Sequence, residues 1–284
     1  MRISLTAAAL LLAIYALPAL AERDPHSGAP LPPKKKERAS PITDHFAVRA
    51  AFFAPGMNTN LRVDPTNPAP GVTGTPVSAE SDLGMPDKLH QGRVELMFRM
   101  RDRNKVRLDY FEADRSGTAV LNRDVIFGNE TFLAGSETQS SLDWKQFDIT
   151  YTYSFIRNER FELGTGIAVY FLQADAIGFV PATNQRQEVS AATPFPALPL
   201  DFVWVISSRW AVTARGAYLR AHLAGFDGWY TDYQADAQYR WNRYFAVGAG
   251  WAAIRTSLER SGGVNPGTFK MSATGPQVFF RFSF

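Results

Sequence analysis

The chain has 284 residues, of which 13% are aromatic, and its 30 basic and 27 acidic side chains give a formal net charge of +3. A charge so evenly balanced does not indicate a nucleic-acid-binding surface. The lack of cysteine excludes disulfides and cysteine nucleophiles, and no phosphate-binding loop, dinucleotide fingerprint or zinc spacing is present, so the sequence predicts no cofactor and no metal.

The N-terminus has the pattern of an export signal. Arg2 precedes an apolar run over residues 5–17, and Ala19-Leu20-Ala21 has the form of a cleavage site. These features predict a signal peptide over residues 1–21, and the apolar run is too short to favour a membrane anchor. The Pro- and Lys-rich residues 22–43 are predicted to be a disordered periplasmic linker.

From residue 44 onward, apolar and polar residues alternate with a period of two, which is typical of β-strands with two different faces. Within 146–155, for example, aromatic or aliphatic residues occupy the odd positions and polar residues the even ones. No later stretch is apolar over enough residues for a transmembrane helix. Ten strands are predicted: 44–54, 91–101, 104–114, 138–156, 160–173, 197–207, 209–221, 229–240, 243–255 and 272–284.

The predicted connections alternate between short and long. Short polar turns follow the second, fourth, sixth and eighth strands, and longer loops are predicted over 55–90, 115–137, 174–196, 222–228 and 256–271. This sorting is typical of bacterial outer-membrane barrels, whose short turns are periplasmic. Residues 44–284 are therefore predicted to form an all-β, closed, antiparallel, up-and-down transmembrane barrel of about ten strands.

Three alternatives remain open for this architecture. Counts of eight or twelve strands are possible, because residues 118–127 could either form an extracellular hairpin or span the membrane. A soluble β-sandwich or lipocalin-like carrier would also show alternation, although the sorting of loops by length disfavours it.

The C-terminal strand ends the chain on an aromatic residue, with apolar residues at alternate positions: Phe280, Phe282 and Phe284. In this respect the chain resembles the small bacterial outer-membrane barrels grouped with outer-membrane proteins A, W and X. The resemblance implies location in the outer membrane, contact with its lipid and lipopolysaccharide, and recognition of Phe284 and its alternating partners by the barrel-assembly machinery. A monomer is favoured.

The polar face of the predicted barrel is rich in charge. A barrel near eight strands is filled by side chains, and buried charges must be paired, so we expect an ion-pair network with at most a narrow pore. The candidate lumen residues are Arg93, Glu95, Arg99, Arg107, Asp109, Asp148, Glu162, Asp201, Arg215, Asp232, Asp236, Arg240 and Arg281. The predicted function is a structural or interaction role, or narrow passage of small solutes.

The alternative is an outer-membrane protease or lipid hydrolase on the same scaffold. Omptin proteases use an Asp-His pair at the outer rim, whereas Asp44-His45 begins the first predicted strand at the opposite end. His90 and His222 are nearer the outer rim but have no partner at a recognisable spacing. The sequence therefore predicts no catalytic residues. The acidic residues Glu80, Asp82 and Asp87 are expected to form a solvated loop rather than a calcium site.

Overall fold

The computed structural model describes residues 39–67, 69–223, 225–262 and 266–284. The predicted signal peptide and linker residues 22–38 lie outside these residues. Within the described ranges, no helix is long and apolar enough to cross a membrane. The described residues form strands in the order β1 (Phe46–Phe53), β2 (Gly56–Val63), β3 (Val77–Ser78), β4 (Gln91–Arg101), β5 (Asn104–Val120), β6 (Val125–Phe127), β7 (Glu130–Phe132), β8 (Glu137–Arg157), β9 (Phe161–Val180), β10 (Gln185–Val205), β11 (Trp210–Leu223), β12 (Phe226–Arg240), β13 (Phe245–Arg260) and β14 (Gly267–Ser283).

The main sheet closes on itself as an antiparallel barrel. Its hydrogen-bonded order is β1, β4, β5, β8, β9, β10, β11, β12, β13, β14, and β14 pairs back to β1. β2 continues the line of β1 after a break at Ala54-Pro55 and pairs with the far half of β14. Proline has no N–H for the ladder, which explains why the first wall strand is interrupted there. Counting β1 and β2 as one wall strand, the barrel has ten strands, and the predicted fold class is confirmed.

Four short connections lie at one end of the barrel, which we call the turn end: residues 102–103, 158–160, 206–209 and 241–244. The other end, the loop end, carries two long connections over 64–90 and 121–136. The predicted long loops at 174–196, 222–228 and 256–271 are wrong, because the connections there shrink to 181–184, 224–225 and 261–266. Alternation weakens in these stretches, but the strands continue through them.

The small hairpin at the loop end lies further along the chain than predicted. Residues 118–120 belong to β5, and the hairpin is formed by β6 and β7 within 125–132. It belongs to a separate two-stranded sheet, so it does not change the strand count.

The two faces of the wall differ as the period of two requires. Outward-facing apolar side chains are exposed around the barrel, whereas the inward-facing ones are buried. In β14, for example, Phe280 and Phe282 are exposed on the outside while Phe279 and Arg281 are buried inside. The exposed belt includes Val94, Phe98, Tyr110, Phe147, Ile149, Tyr151, Phe171, Leu198, Leu200, Trp204, Trp210, Tyr218, Trp229, Tyr233, Trp251 and Phe284.

Candidate functional site: the filled lumen and the cavity under the loop end

The predicted lumen residues all lie on strands of the wall and face the interior. They are buried except for Arg107 and Arg215, whose side chains are 13% and 15% exposed. Most are joined by ion pairs in the half of the lumen nearer the turn end. We call this set, together with Asp44, Arg49 and Lys105, the lumen network.

Nearest the turn end, Arg99 on β4 binds Glu162 on β9 through two hydrogen bonds of 2.8 and 2.9 Å. Lys105 Nζ lies 3.4 Å from the same carboxylate, and Ser154 donates a hydrogen bond of 2.5 Å to it. The Glu162 carboxylate is therefore bound from three different strands.

The next group links strands across the lumen. Arg107 donates to Asp201 over 2.7 Å, and Lys105 lies 3.2 Å from the same carboxylate. Arg49 on β1 donates to Asp236 on β12 over 2.9 Å. A further contact joins Arg215 on β11 to Glu95 on β4. Each pair joins strands that are not neighbours in the sheet, so together they bridge the interior.

The group furthest from the turn end is centred on Arg93. Its Nε lies 2.7 Å from Asp109 and its Nη2 lies 2.6 Å from Asp232. Gln146 donates to Asp232 over 3.3 Å, and the Tyr230 hydroxyl donates to Gln146 over 2.6 Å. Polar contacts thus continue up to the aromatic layer above. Asp148, another predicted lumen residue, accepts a hydrogen bond of 2.9 Å from Thr150.

A turn over residues 40–44 fills the mouth of the barrel at the turn end. Asp44 accepts from Arg240 over 2.6 Å and from Arg281 over 3.3 Å. Ile42 is buried in a small apolar cluster with Val203, Val205 and Ala211. The last residues of the predicted linker therefore lie inside the mouth and are fixed by an ion pair and an apolar contact.

Sequence reasoning missed three members of the network. Arg49 and Lys105 lie at inward positions of β1 and β5, and strict alternation from Ala47 or Arg107 would have found them. Asp44 precedes its strand, so alternation could not have indicated its role.

The voids left between these polar groups are small. Two of them, lined by the lumen network, measure about 40 and 30 Å³. A single water needs roughly 10–15 Å³ of such space, so each void has room for only a few water molecules. The network fills the lumen rather than lining a wide pore.

Above the lumen network, the interior becomes apolar. Phe53 and Phe111 meet edge to face at 5.8 Å, Tyr170 and Tyr230 lie 5.0 Å apart, and Trp144 stacks on Phe269 at 5.7 Å between ring centroids. Further buried members of this aromatic layer are Met57, Leu172, Phe195, Leu219 and Ile254.

The loop end is capped by the two long connections. A second apolar cluster joins Val77, Met85, Leu121, Phe127 and Phe132 to the inner wall. Loop and wall approach closely at Gly117, where any Cβ would meet the backbone of Leu83 and Gly84. We call this folded segment, residues 77–90 with β6 and β7, the cap.

One ion pair ties the cap to the wall. Arg115 donates to Glu80 over 2.5 Å and to the Thr59 hydroxyl over 2.5 Å, while the Thr59 amide donates to Glu80 over 2.9 Å. Partial burial opposes ionisation of Glu80, but the Thr59 amide and the Arg115 guanidinium outweigh it and hold the pKa of Glu80 below its usual value. Glu80 therefore has a structural partner instead of being freely solvated as expected.

An apolar cavity of about 100 Å³ lies between the aromatic layer and the loop end. Trp144 and Phe269 form part of its wall, and Arg62 at its edge pairs with Asp64 at 3.2 Å. The other described lining residues are Leu61, Val63, Leu142, Leu172, Ala174, Ala176, Val189, Ser190, Phe195, Leu258, Arg260, Gly267 and Thr268.

The histidines considered as catalytic candidates are dispersed. His45 follows the turn at the turn end, and His90 stacks on the outward-facing Phe52 at 5.7 Å. The backbone of His222 lies opposite Asp227 in the register of β11 and β12. Among the described residues, no group of three His, Asp or Glu side chains is arranged to hold a metal ion.

No protein-family model and no curated protein sequence matches the chain. Its fold is similar to that of the outer membrane protease OmpT from Escherichia coli, with a TM-score of 0.53 over 84% of this chain and 97% of that chain at 9% identity. Two weaker likenesses are to other outer-membrane proteins. The transport unit of the autotransporter AIDA-I from Escherichia coli aligns with a TM-score of 0.39 at 8% identity, over 85% of this chain and 91% of that chain. The attachment invasion locus protein Ail of Yersinia pestis aligns with a TM-score of 0.33 at 7% identity, over 84% of this chain and 99% of that chain. The chain therefore has the fold of outer-membrane β-barrels.

Proposed function

We propose that the protein is an integral component of the bacterial outer membrane, with a plugged lumen, and that it acts through its loop end in a structural or interaction role. The observation that carries the proposal is the lumen network, which bridges non-neighbouring strands of the wall. We also infer that the protein belongs with the small outer-membrane barrels grouped with outer-membrane proteins A, W and X.

The exposed belt supports a membrane setting. Its side chains include large aliphatic and aromatic groups that a soluble protein would bury. Near the turn end, Phe161 stacks on Trp204 at 5.9 Å and Trp210 packs against Tyr239 at 5.2 Å. Aromatic pairs of this kind are typical of the interface between lipid and water. Because the short turns of outer-membrane barrels are periplasmic, we assign the turn end to the periplasm and the loop end to the outside.

The filled interior argues against free passage of solutes. Opening a pore would separate pairs such as Arg99–Glu162, whose side chains are 1% and 0% exposed. Buried ions that lose their partners are costly, so a wide open state is strongly disfavoured. The aromatic layer and the cap add two apolar barriers above the lumen network.

The loop end offers a folded surface for interaction. β8 and β10 each have 21 residues, about twice the 9–11 that cross a bilayer. The excess places the hairpin of β9 and β10 beyond the membrane. The side chains of its ion pair, Arg186 and Glu188, are each 56% exposed, which is typical of a surface in contact with water.

Conductance tests this proposal most directly. The mature chain is refolded in detergent, its folded state is verified by heat-dependent gel mobility, and it is inserted into a planar bilayer beside a general porin as positive control. We expect an inserted barrel with no steady single-channel steps. Regular ohmic steps from the folded protein would overturn the plugged lumen and favour narrow solute passage.

Our proposal contains no catalytic step. A protease or lipid hydrolase is tested by incubating the folded protein with a library of quenched peptides and with phospholipid vesicles, alongside a His222→Ala variant. We expect no turnover. Cleavage that the substitution abolishes would replace the interaction role with an enzymatic one.

A further inference from the structure

We propose that the apolar cavity is a binding site for a small uncharged molecule, with a mostly apolar body and one hydrogen-bond acceptor. We further infer that the molecule enters sideways from the outer leaflet, between β10 and β11. The membrane setting is taken from the proposed function, but neither binding nor entry depends on whether the lumen conducts.

The cavity has the size and lining of a ligand site rather than a water pocket. At about 100 Å³, it is several times larger than the space that one water needs. Its walls are mainly aliphatic and aromatic, and apolar walls of this kind accept small hydrocarbons. Two guanidinium groups line the cavity, and neither is free: Arg62 is paired with Asp64, and Arg260 also has a partner. The cavity therefore favours an uncharged molecule.

A buried donor in the cavity wall indicates the polar part of the ligand. Trp144 is 1% exposed, and its indole Nε1 is buried with no acceptor within hydrogen-bond distance among the described residues. A buried N–H without a partner is costly, and buried tryptophans usually find one. A carbonyl or ether oxygen on a bound molecule would supply that acceptor.

The wall of the barrel is not hydrogen-bonded throughout. Pairing between β10 and β11 ends at Leu198 opposite Tyr218. β10 nevertheless continues to Gln185, and β11 continues to Leu223. Over this stretch, β10 pairs with β9 and β11 pairs with β12, but no ladder pair joins β10 to β11 in the described residues. We call this interval the seam.

Prolines explain why the ladder stops. In a strand, successive backbone N–H groups point to opposite neighbours. Val205 donates to Arg160 on the β9 side, whereas Ile206 donates to Trp210 on the β11 side, so even-numbered positions face β11. Pro194 and Pro196 are even-numbered and have no N–H to donate. On the side that faces β11, β10 therefore has prolines where a paired strand would have N–H donors, as edge strands do.

The seam connects the cavity to the lipid-facing surface. Phe195, between the two prolines, is buried and lines the cavity. Below the seam, the outer wall has an apolar groove of about 630 Å³ around Leu198, Tyr218 and Tyr233. An apolar molecule dissolved in the outer leaflet can follow this groove to the seam, and displacement of the Phe195 ring would then admit it.

Binding is tested with three five-membered rings that differ in one group: cyclopentanone, cyclopentane and cyclopentanecarboxylate. The readout is the indole N–H resonance of Trp144 in the refolded, isotope-labelled protein, assigned by its loss in Trp144→Phe. We expect a saturable shift with cyclopentanone, competition by cyclopentane and no effect of the carboxylate. A non-saturable shift, or equal shifts from all three, would overturn the site.

The control compares a substitution that fills the cavity with the same substitution on the outer face of the barrel. Ala174 lines the cavity, whereas Ala249 is exposed on the outer face of β13. Ala174→Leu should weaken cyclopentanone binding at least tenfold, and Ala249→Leu should leave it unchanged, with heat-dependent gel mobility verifying that both are folded. Equal binding by the two variants would contradict the assignment of the site.

Entry is tested by closing the seam. Continuing the register of β10 and β11 places Pro196 opposite Arg220, and both are exposed. Because the chain has no cysteine, Pro196→Cys with Arg220→Cys gives the only thiols. Oxidation, or labelling with a bulky maleimide if the disulfide does not form, should slow cyclopentanone exchange at least tenfold without changing the shift at saturation. Unchanged exchange would show that the molecule enters through the cap.

The outcomes separate this inference from the proposed function. A non-conducting barrel that does not bind cyclopentanone refutes the site and leaves the plugged lumen standing. A conducting barrel that binds it refutes the plugged lumen and leaves the site.

Discussion

Arg93 on β4 and Asp232 on β12 meet across the lumen at 2.6 Å, and both side chains are almost completely buried. The same guanidinium binds Asp109 on the neighbouring strand at 2.7 Å. One cation thus binds two carboxylates on different sides of the barrel, which makes Arg93 the central residue in the upper part of the lumen network.

Arg93→Met should strongly destabilise the barrel. The change removes the cation and leaves Asp109 and Asp232 buried without it, and breaking a buried pair typically costs about 3–5 kcal/mol. The measurement is the free energy of unfolding in urea, followed in lipid or detergent.

The matched control is Arg186→Met, which breaks the exposed pair with Glu188. Exposed pairs contribute at most about 1 kcal/mol, so the free energy of unfolding of this variant should remain close to that of the parent protein. Similar losses from both variants would mean that the lumen network contributes no more than surface charges do.

The attachment of the cap should depend on pH. Because the pKa of Glu80 is lowered in the folded protein, its contribution is complete above the unfolded pKa of about 4.3 and is lost as the pH falls through the folded value. Hydrogen exchange of residues 79–85, corrected for its intrinsic dependence on pH, should therefore accelerate in acid.

Glu80→Gln should show the accelerated exchange already at neutral pH and should remove this pH dependence. Asp87→Asn, in the same loop but exposed, serves as the control and should behave like the parent. A parent protein whose cap exchanges at the same rate across this pH range would contradict the role given to Glu80.

Phe284→Ser should reduce assembly in cells more than folding in vitro. The terminal backbone pairs with His45 and Phe46, and the substitution preserves those hydrogen bonds. We expect several-fold less folded protein in the outer-membrane fraction with unchanged refolding in detergent.

Phe245→Ser is the comparison for this experiment, because Phe245 lies opposite Phe282 in the ladder and is similarly exposed to lipid. If both variants lose the same amount of folded protein in cells, Phe284 acts as a lipid anchor only, and its role as an assembly signal is refuted.

Much of the fold could be predicted because alternation is a local property. The predicted strand 91–101 coincides with β4, and the four short turns lie where polar residues interrupt the pattern. The loop-end boundaries were harder to predict. Above the membrane, strands no longer need an apolar outer face. β9 therefore continues to Val180, and β10 already begins at Gln185, without the pattern that identifies both strands below.

Contacts across the barrel could not be predicted in the same way. Which residue of β4 meets which residue of β12 depends on the stagger of the strands around the closed barrel, and alternation contains no information about stagger. The charged lumen was therefore expected, but the pairing of Arg93 with Asp232 was not. The cavity and the seam were also missed, although three prolines within 194–199 are a visible signal of an interrupted ladder.

The turn at residues 40–44 has a consequence for the order of assembly. The Asp44 carboxylate binds both Arg240 and Arg281, and it can reach both only when β1 has joined β14. In a chain whose first and last strands have not yet met, both guanidinium groups at the turn end lack this carboxylate. Closure of the barrel and the binding of these two guanidinium groups by one carboxylate are thus a single event, so an unfinished barrel is more positive at its turn end than a finished one.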